Sequence, residues 1–144
     1  MRMNPPVRNP FVLKITVSPE DIDAQGHVSN VKILEWANRA AIAHSDHLGF
    51  TVARYYEIGG IFVVRRHEID YLLPAYEGEQ LVLYTWPSSK KRSAAERRHE
   101  IQRESDGAVV ARVLNKWVYV DTESGRPKRM HPQVAETFDP ANFI

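Results

Sequence analysis

Apolar and polar positions alternate along FVLKITVS, where Phe11, Leu13, Ile15 and Val17 fall on one side. A two-residue period puts alternate side chains on one face, so a half-buried strand is expected. A different period begins at Asn30. In NVKILEWANRAAIAHSDHLG the polar positions Lys32, Glu35, Asn38 and Arg39 form one helical stripe. Ile33, Leu34, Trp36, Ala37, Ala40 and Ala41 cover the rest, and Gly49 closes the segment as a C-terminal cap. So apolar a helix is expected to be enclosed by other elements. The small residues Ala37, Ala40 and Ala41 let another element come close.

From Gly60 the pattern changes again. IFVVRRHEIDYLL, EQLVLYTWPSS, SAAERRHEIQRE and AVVARVLNKWVYVD are β-branched or aromatic runs, separated by the turn signals PAYEG, SKKR and SDG. In the last run Val109, Ala111, Val113, Trp117 and Tyr119 form a core stripe. TESGRPKRM then leads into a tail with a last helical turn. One strand, one long helix and four strands joined by short hairpin-like turns predict an α+β domain over residues 1–144. Its sheet is largely antiparallel and curls around the single helix.

Composition narrows the function classes. At 144 residues the chain suits one domain with one core, and 43% apolar with 26% charged residues is the balance of a globular protein. A net charge of +1 gives no reason to expect nucleic acid as a partner. The absence of cysteine removes disulfides, thiolate metal sites and a cysteine nucleophile together. MRMNPPVRNP has no apolar core of a signal peptide, and no run approaches the ~20 residues that span a bilayer. A cytoplasmic protein without a membrane partner is the expectation.

The chemistry concentrates between the first strand and the helix, in DIDAQGHVSN. A carboxylate with an ordinary pKa of about 3.9 is ionised at neutral pH and serves as base or nucleophile. The N–H groups that open a helix have no partner within it and sit at the positive end of its dipole, where they favour negative charge. Each residue also has a plainer reading. Asp21 or Asp23 can simply fix a turn, His27 can bond to loop backbone, Asn30 can be a helix cap, and Ser29 fits an N-cap better than a nucleophile. GHVSN does not match the G-x-S-x-G of serine hydrolases.

Three segments carry a family resemblance. DIDAQGHVSNVKILEWANRA is similar to the D-x-D-x-x-G-[HI]-[VL]-x-N motif and helix of the hotdog-fold acyl-CoA thioesterases of the 4-hydroxybenzoyl-CoA thioesterase type. VVRRHEIDYLLPAYEGEQL resembles that family's strand with its Pro-Ala turn and acidic Gly turn, and LNKWVYVDTESGRPKRMHP its last strand and exit. Ser29-Asn30 stands where many relatives read Asn-Asn, and Asn38 where several carry Glu. The resemblance implies a hotdog fold and hydrolysis of a small or medium acyl-CoA thioester. It implies that Asp23 is the catalytic carboxylate, as nucleophile or as base for water, and that the N–H near Asn30 polarises the carbonyl. His27 then assists, and Gly26 permits the turn and admits the acyl group. No cofactor is expected, since coenzyme A is part of the substrate. A homodimer or a dimer of dimers is implied, with the active site at a subunit interface.

Lys90, Lys91, Arg92 and Ser93 read first as a solvated hairpin turn. With the resemblance they become candidates for the phosphates of coenzyme A. Trp36, Trp86 and Trp117 read as core before they read as walls of an aromatic acyl pocket. His44 and His47, three apart, do not make a metal site, and no metal is expected. Two other readings stay open. One is an acyl-thioester hydratase, which the three-residue gap between Asp23 and His27 disfavours. The other is an acyl-CoA-binding module without turnover.

Overall fold

The alternation at Phe11 forms β1 (Phe11–Thr16) and the helical stripe forms α1 (Asn30–His47). The four later runs form β2 (Gly60–Tyr71), β3 (Gln80–Lys90), β4 (Ala94–Arg103) and β5 (Val109–Asp121). The computed structural model describes residues 4–144, so the N-terminal signal expectation rests in part on residues 1–3, outside them. No helix of the described residues is long and apolar enough to cross a membrane.

One element escapes the hydrophobic pattern. α2 (Val52–Ile58) spans only seven residues, too few to display a period. Its ends are nevertheless written in the sequence: the Thr51 hydroxyl accepts the Arg54 N–H at 3.2 Å, and Gly59 closes it at φ +81°. The expected turn in the tail is α3 (Pro132–Thr137).

The sheet runs β1-β3-β4-β5-β2 with every pairing antiparallel. β3, β4 and β5 are successive hairpins, as expected. The link from β2 to β3 is not a hairpin. Leu83 pairs with Leu13 of β1, whereas Ile61 pairs with Val120 of β5. The reason lies in α1 and α2, which carry the chain across the sheet before β2 begins. PAYEG then returns it.

α1 lies on one face of this curled sheet. Ile33, Trp36, Ala37 and Ala40 are buried against Ile15, Leu81, Leu83, Ile101 and Val113. Each large apolar side chain so buried contributes on the order of 1.5–3 kcal/mol relative to exposure. Past the C-terminal half of α1, Phe50, Tyr55, Tyr119, Met130, Val134 and Phe138 form a second cluster. Val82, Tyr84 and Trp86, which alternate with the helix-facing residues of β3, pack instead with Phe143 of the tail.

Two expectations change. The helix is not enclosed on every side, since Val31 is 64% exposed and Ile42 60%. Within the β5 stripe, Ala111 and Val113 are buried but Val109 and Trp117 are only half-buried, and polar Asn115 is fully buried on the same face.

Gly60 begins β2 where the chain passes the buried Tyr119, and a Cβ there would overlap the Tyr119 ring. Its backbone is not left-handed, so the demand for glycine is one of space. Gly60→Ala is expected to destabilise the fold by about 1–3 kcal/mol through overpacking. Urea unfolding would register this as a lower midpoint at unchanged slope.

Candidate active site

Residues 22–28 form a tight loop closed by an antiparallel bridge between Ile22 and Val28. The Asp23 N–H donates to the His27 carbonyl at 2.9 Å, and the Gly26 N–H to the Asp23 carbonyl at 3.1 Å. Gly26 adopts φ +85° with open space where a Cβ would stand, so backbone conformation alone asks for glycine.

The two carboxylates of the loop have different surroundings. Asp21 is buried, and its Oδ2 accepts from the Ser18 N–H at 2.9 Å and the Ser18 hydroxyl at 3.0 Å. Its Oδ1 lies 3.6 Å from Lys32 Nζ, and its carbonyl accepts the Ser29 N–H at 2.9 Å. Asp21 therefore ties the loop to the start of the helix. Asp23 is less engaged. Its Oδ1 accepts the Gln25 N–H at 2.9 Å, while its Oδ2 stands 3.9 Å from His27 Nδ1, beyond hydrogen-bond reach. About a third of each of these two side chains is exposed. His27 Nδ1 has only a long contact, 3.5 Å, with the Val28 carbonyl.

The helix start follows directly. Ser29 is the N-cap, its hydroxyl accepting the Val31 N–H at 3.2 Å, so Asn30 is the first helical residue and not the cap. Among the described residues nothing accepts from the Asn30 N–H. Support comes from residues that sequence reasoning did not single out. The Ala75 carbonyl takes the Val28 N–H at 2.8 Å, and the Tyr71 hydroxyl donates to the Asn30 carbonyl at 3.3 Å. Their signal was the segment YLLPA, legible as a strand and turn but not as a brace for a loop elsewhere. The loop thus sets a lightly engaged carboxylate two bonded turns from an unpaired N–H at the positive end of an 18-residue helix.

A family model, the thioesterase-like superfamily, matches residues 17–138. The chain belongs to that superfamily. Thioester hydrolysis is the activity this membership assigns, and the fold is the hotdog fold. Among solved structures the chain resembles Slr0204, a 1,4-dihydroxy-2-naphthoyl-CoA thioesterase from Synechocystis, at 16% identity and TM-score 0.80, covering 91% of this chain and 97% of that one. A DHNA-CoA thioesterase from Staphylococcus aureus aligns at 18% identity and TM-score 0.82, covering 94% and 92%. YbaW, a probable thioesterase from Escherichia coli, aligns at 22% and 0.76, covering 90% and 97%. No curated protein matches the sequence.

In this hotdog chain the basic turn is not beside Asp23. Lys90 to Ser93 lie at the far end of β3, whose eleven residues span roughly 30 Å. Lys90 Nζ is bonded to Asp139 Oδ2 at 3.1 Å and to the Ala135 carbonyl at 3.0 Å. Lys91 and Arg92 are exposed, and Ser93 is half-buried with its carbonyl accepting the Tyr119 N–H at 2.8 Å. Trp36 and Trp86 are core residues, on opposite faces of the sheet. His47 is exposed, whereas His44 is buried and stacks on Phe11 at 4.9 Å.

A polar band crosses the helix-facing side of the thioesterase sheet between the two apolar clusters. His99 Nε2 faces Asn115 Oδ1 at 2.5 Å, and Asn115 Nδ2 donates to His67 Nδ1 at 2.8 Å. The amide oxygen assigns the His99 proton to Nε2, leaving Nδ1 buried without a partner. Beside it Arg97 Nη1 donates to Thr85 Oγ1 at 3.0 Å and faces His44 Nδ1 at 3.1 Å. Burial first, and the Arg97 charge second, push both His44 and His99 down to about 3. Both imidazoles are neutral at pH 7. Nothing in the hydrophobic pattern marked this band, because its members sit singly among strand residues.

The unfolded chain protonates each histidine near pH 6.5, but the folded chain does so only near 3. Between those values the unfolded state binds more protons, so this stability is complete above about pH 6.5 and falls as pH drops. Each histidine is expected to add a slope of about 1.4 kcal/mol per pH unit within that window. In urea unfolding at pH 6.5, 5.5 and 4.5, His99→Gln should flatten the dependence by about that amount. An unchanged slope would mean that His99 titrates alike in both states.

Proposed function

We propose that this chain is an acyl-CoA thioesterase of the 4-hydroxybenzoyl-CoA type, releasing a carboxylic acid and free coenzyme A. The observation that carries the reading is the pairing of lightly engaged Asp23 with the unpaired Asn30 N–H. Hydrolysis needs a group that attacks the carbonyl or activates water, and a donor where negative charge develops on its oxygen. Asp23 fills the first role, as nucleophile or general base, and the Asn30 N–H the second. His27, within 3.9 Å of Asp23, orients it or the thioester. The Synechocystis and Staphylococcus aureus proteins are both named as thioesterases of a CoA thioester, in Slr0204 that of a naphthoic acid, which supports CoA as the leaving group.

The assembly we propose is a homodimer or a dimer of dimers. β2 is an edge strand, and Val63, Val64, Tyr71 and Leu72 along it and at its end are 42–48% exposed. Such an edge favours pairing with another chain. A second copy also offers a way to bring Lys91 and Arg92 to the coenzyme A phosphates of an active site one β3 length away. Lys90 is already bound to Asp139.

The test follows free thiol release from aliphatic and aromatic acyl-CoAs with wild type beside Asp23→Asn. Turnover by wild type and a loss of ~10²-fold or more in the folded variant is the expected result. Turnover unaffected by Asp23→Asn would move the chemistry to His27. Tight binding without turnover by wild type would make the chain a binding module. Sedimentation at micromolar concentration should give a dimer or tetramer, and a monomer would remove the trans arrangement.

A further inference from the structure

A cavity of about 300 Å³ opens between the C-terminal half of α1, α2 and the sheet. Its walls are apolar, with Phe50, Tyr55, Phe62, Met130 and Phe138 among them. The first α1 residue to line it, Ala41, lies eleven positions beyond Asn30, roughly 16 Å along the helix. It is therefore not the space around Asp23 of the same chain.

One feature of this apolar cavity is out of keeping with the rest. Arg97 lines it and is only 8% exposed, yet no carboxylate of the described residues forms an ion pair with it. Its two hydrogen-bond partners, Thr85 and His44, are both neutral and both met by Nη1. Among the described residues Nε and Nη2 have none. Tyr55 supplies no charge either, because burial pushes its phenol up to about 12. The other charged residues of the wall are engaged or at the rim. Glu96 lies 3.9 Å from Lys116, Lys90 is bonded to Asp139, and Asp46 is exposed. Trp117, also on the wall, has a buried indole N–H without a partner among the described residues.

Buried charges in proteins are ordinarily paired, since an unpaired one loses its hydration without compensation. A guanidinium with two free donor positions matches the two oxygens of a carboxylate. We propose that this cavity is a binding site for a free apolar carboxylic acid, held by its tail among the aromatic residues and by its carboxylate on Arg97. At about 30 Å³ per water the space holds roughly ten waters, which suits an acid of about ten non-hydrogen atoms, such as octanoate or benzoate. The site is independent of the roles given to Asp23 and Asn30. The acid has the chemical class of a thioester hydrolysis product, so the cavity offers product or effector binding away from the reacting carbonyl.

Isothermal titration calorimetry with octanoate and 1-octanol separates charge from chain. Wild type is expected to bind octanoate about ten-fold or more tighter than octanol, the scale of a hydrogen bond to a charged group. Arg97→Met should abolish that preference while octanol still binds. Ile61→Trp, which fills the cavity, should weaken both ligands. Asp23→Asn should leave octanoate affinity unchanged, whatever it does to turnover. The proposal is overturned if wild type binds both ligands equally or neither, if Arg97→Met keeps the preference, or if Asp23→Asn weakens octanoate. The wild-type comparison decides even if Arg97→Met fails to fold.

Discussion

The close seating of α1 on the sheet is the contact on which the rest of the structure depends. Ala37 and Ala40 are fully buried, and with no side chain beyond Cβ they bring the helix backbone down among Leu81, Leu83 and Ile101. A closely packed interior cannot take a larger residue at such a point without displacing one of its layers. That seating fixes the helix N-terminus. Ser29, Asp21 and the Ala75 carbonyl then hold the Asp23 loop against it through hydrogen bonds.

Toward its other end the same helix meets a different surface. Beyond Ala41 the sheet presents Arg97, Thr85 and Asn115 in place of aliphatic residues, and His44 turns down to meet them. Polar groups in a low-dielectric interior are costly unless bonded. The band satisfies most of its members by bonding strand to strand, from His99 through Asn115 to His67. It leaves Arg97 without a counter-charge, at the wall of the cavity. One helix thus separates two environments: a partly exposed carboxylate at its start, and an apolar cavity with a buried cation near its end.

The periods of 2 and 3.6 in the sequence determined β1, α1 and the four later strands, because side-chain alternation follows directly from backbone geometry. Gly26, Ser29 and the paired aspartates, together with the family resemblance, likewise mark the loop before the helix as the place where chemistry gathers. The division of labour between Asp21 and Asp23 was left open by local sequence. It depends on Ser18 and Lys32 folding back onto one carboxylate and leaving the other.

Only the tertiary structure decided which strands are neighbours, and so which distant residues meet. The β2–β3 link looked like a hairpin because a short turn and two strands have the same local signature whether or not the strands pair. Arg97, His99, Asn115 and His67 are unremarkable one at a time. The register that sets Arg97 opposite Asn115, and Asn115 opposite His67, makes them one band. Hydrophobic pattern is a property of nearest neighbours along the chain, and it determined the elements. Burial of a charge is a property of everything that surrounds it, and that exists only once the sheet has closed over the helix.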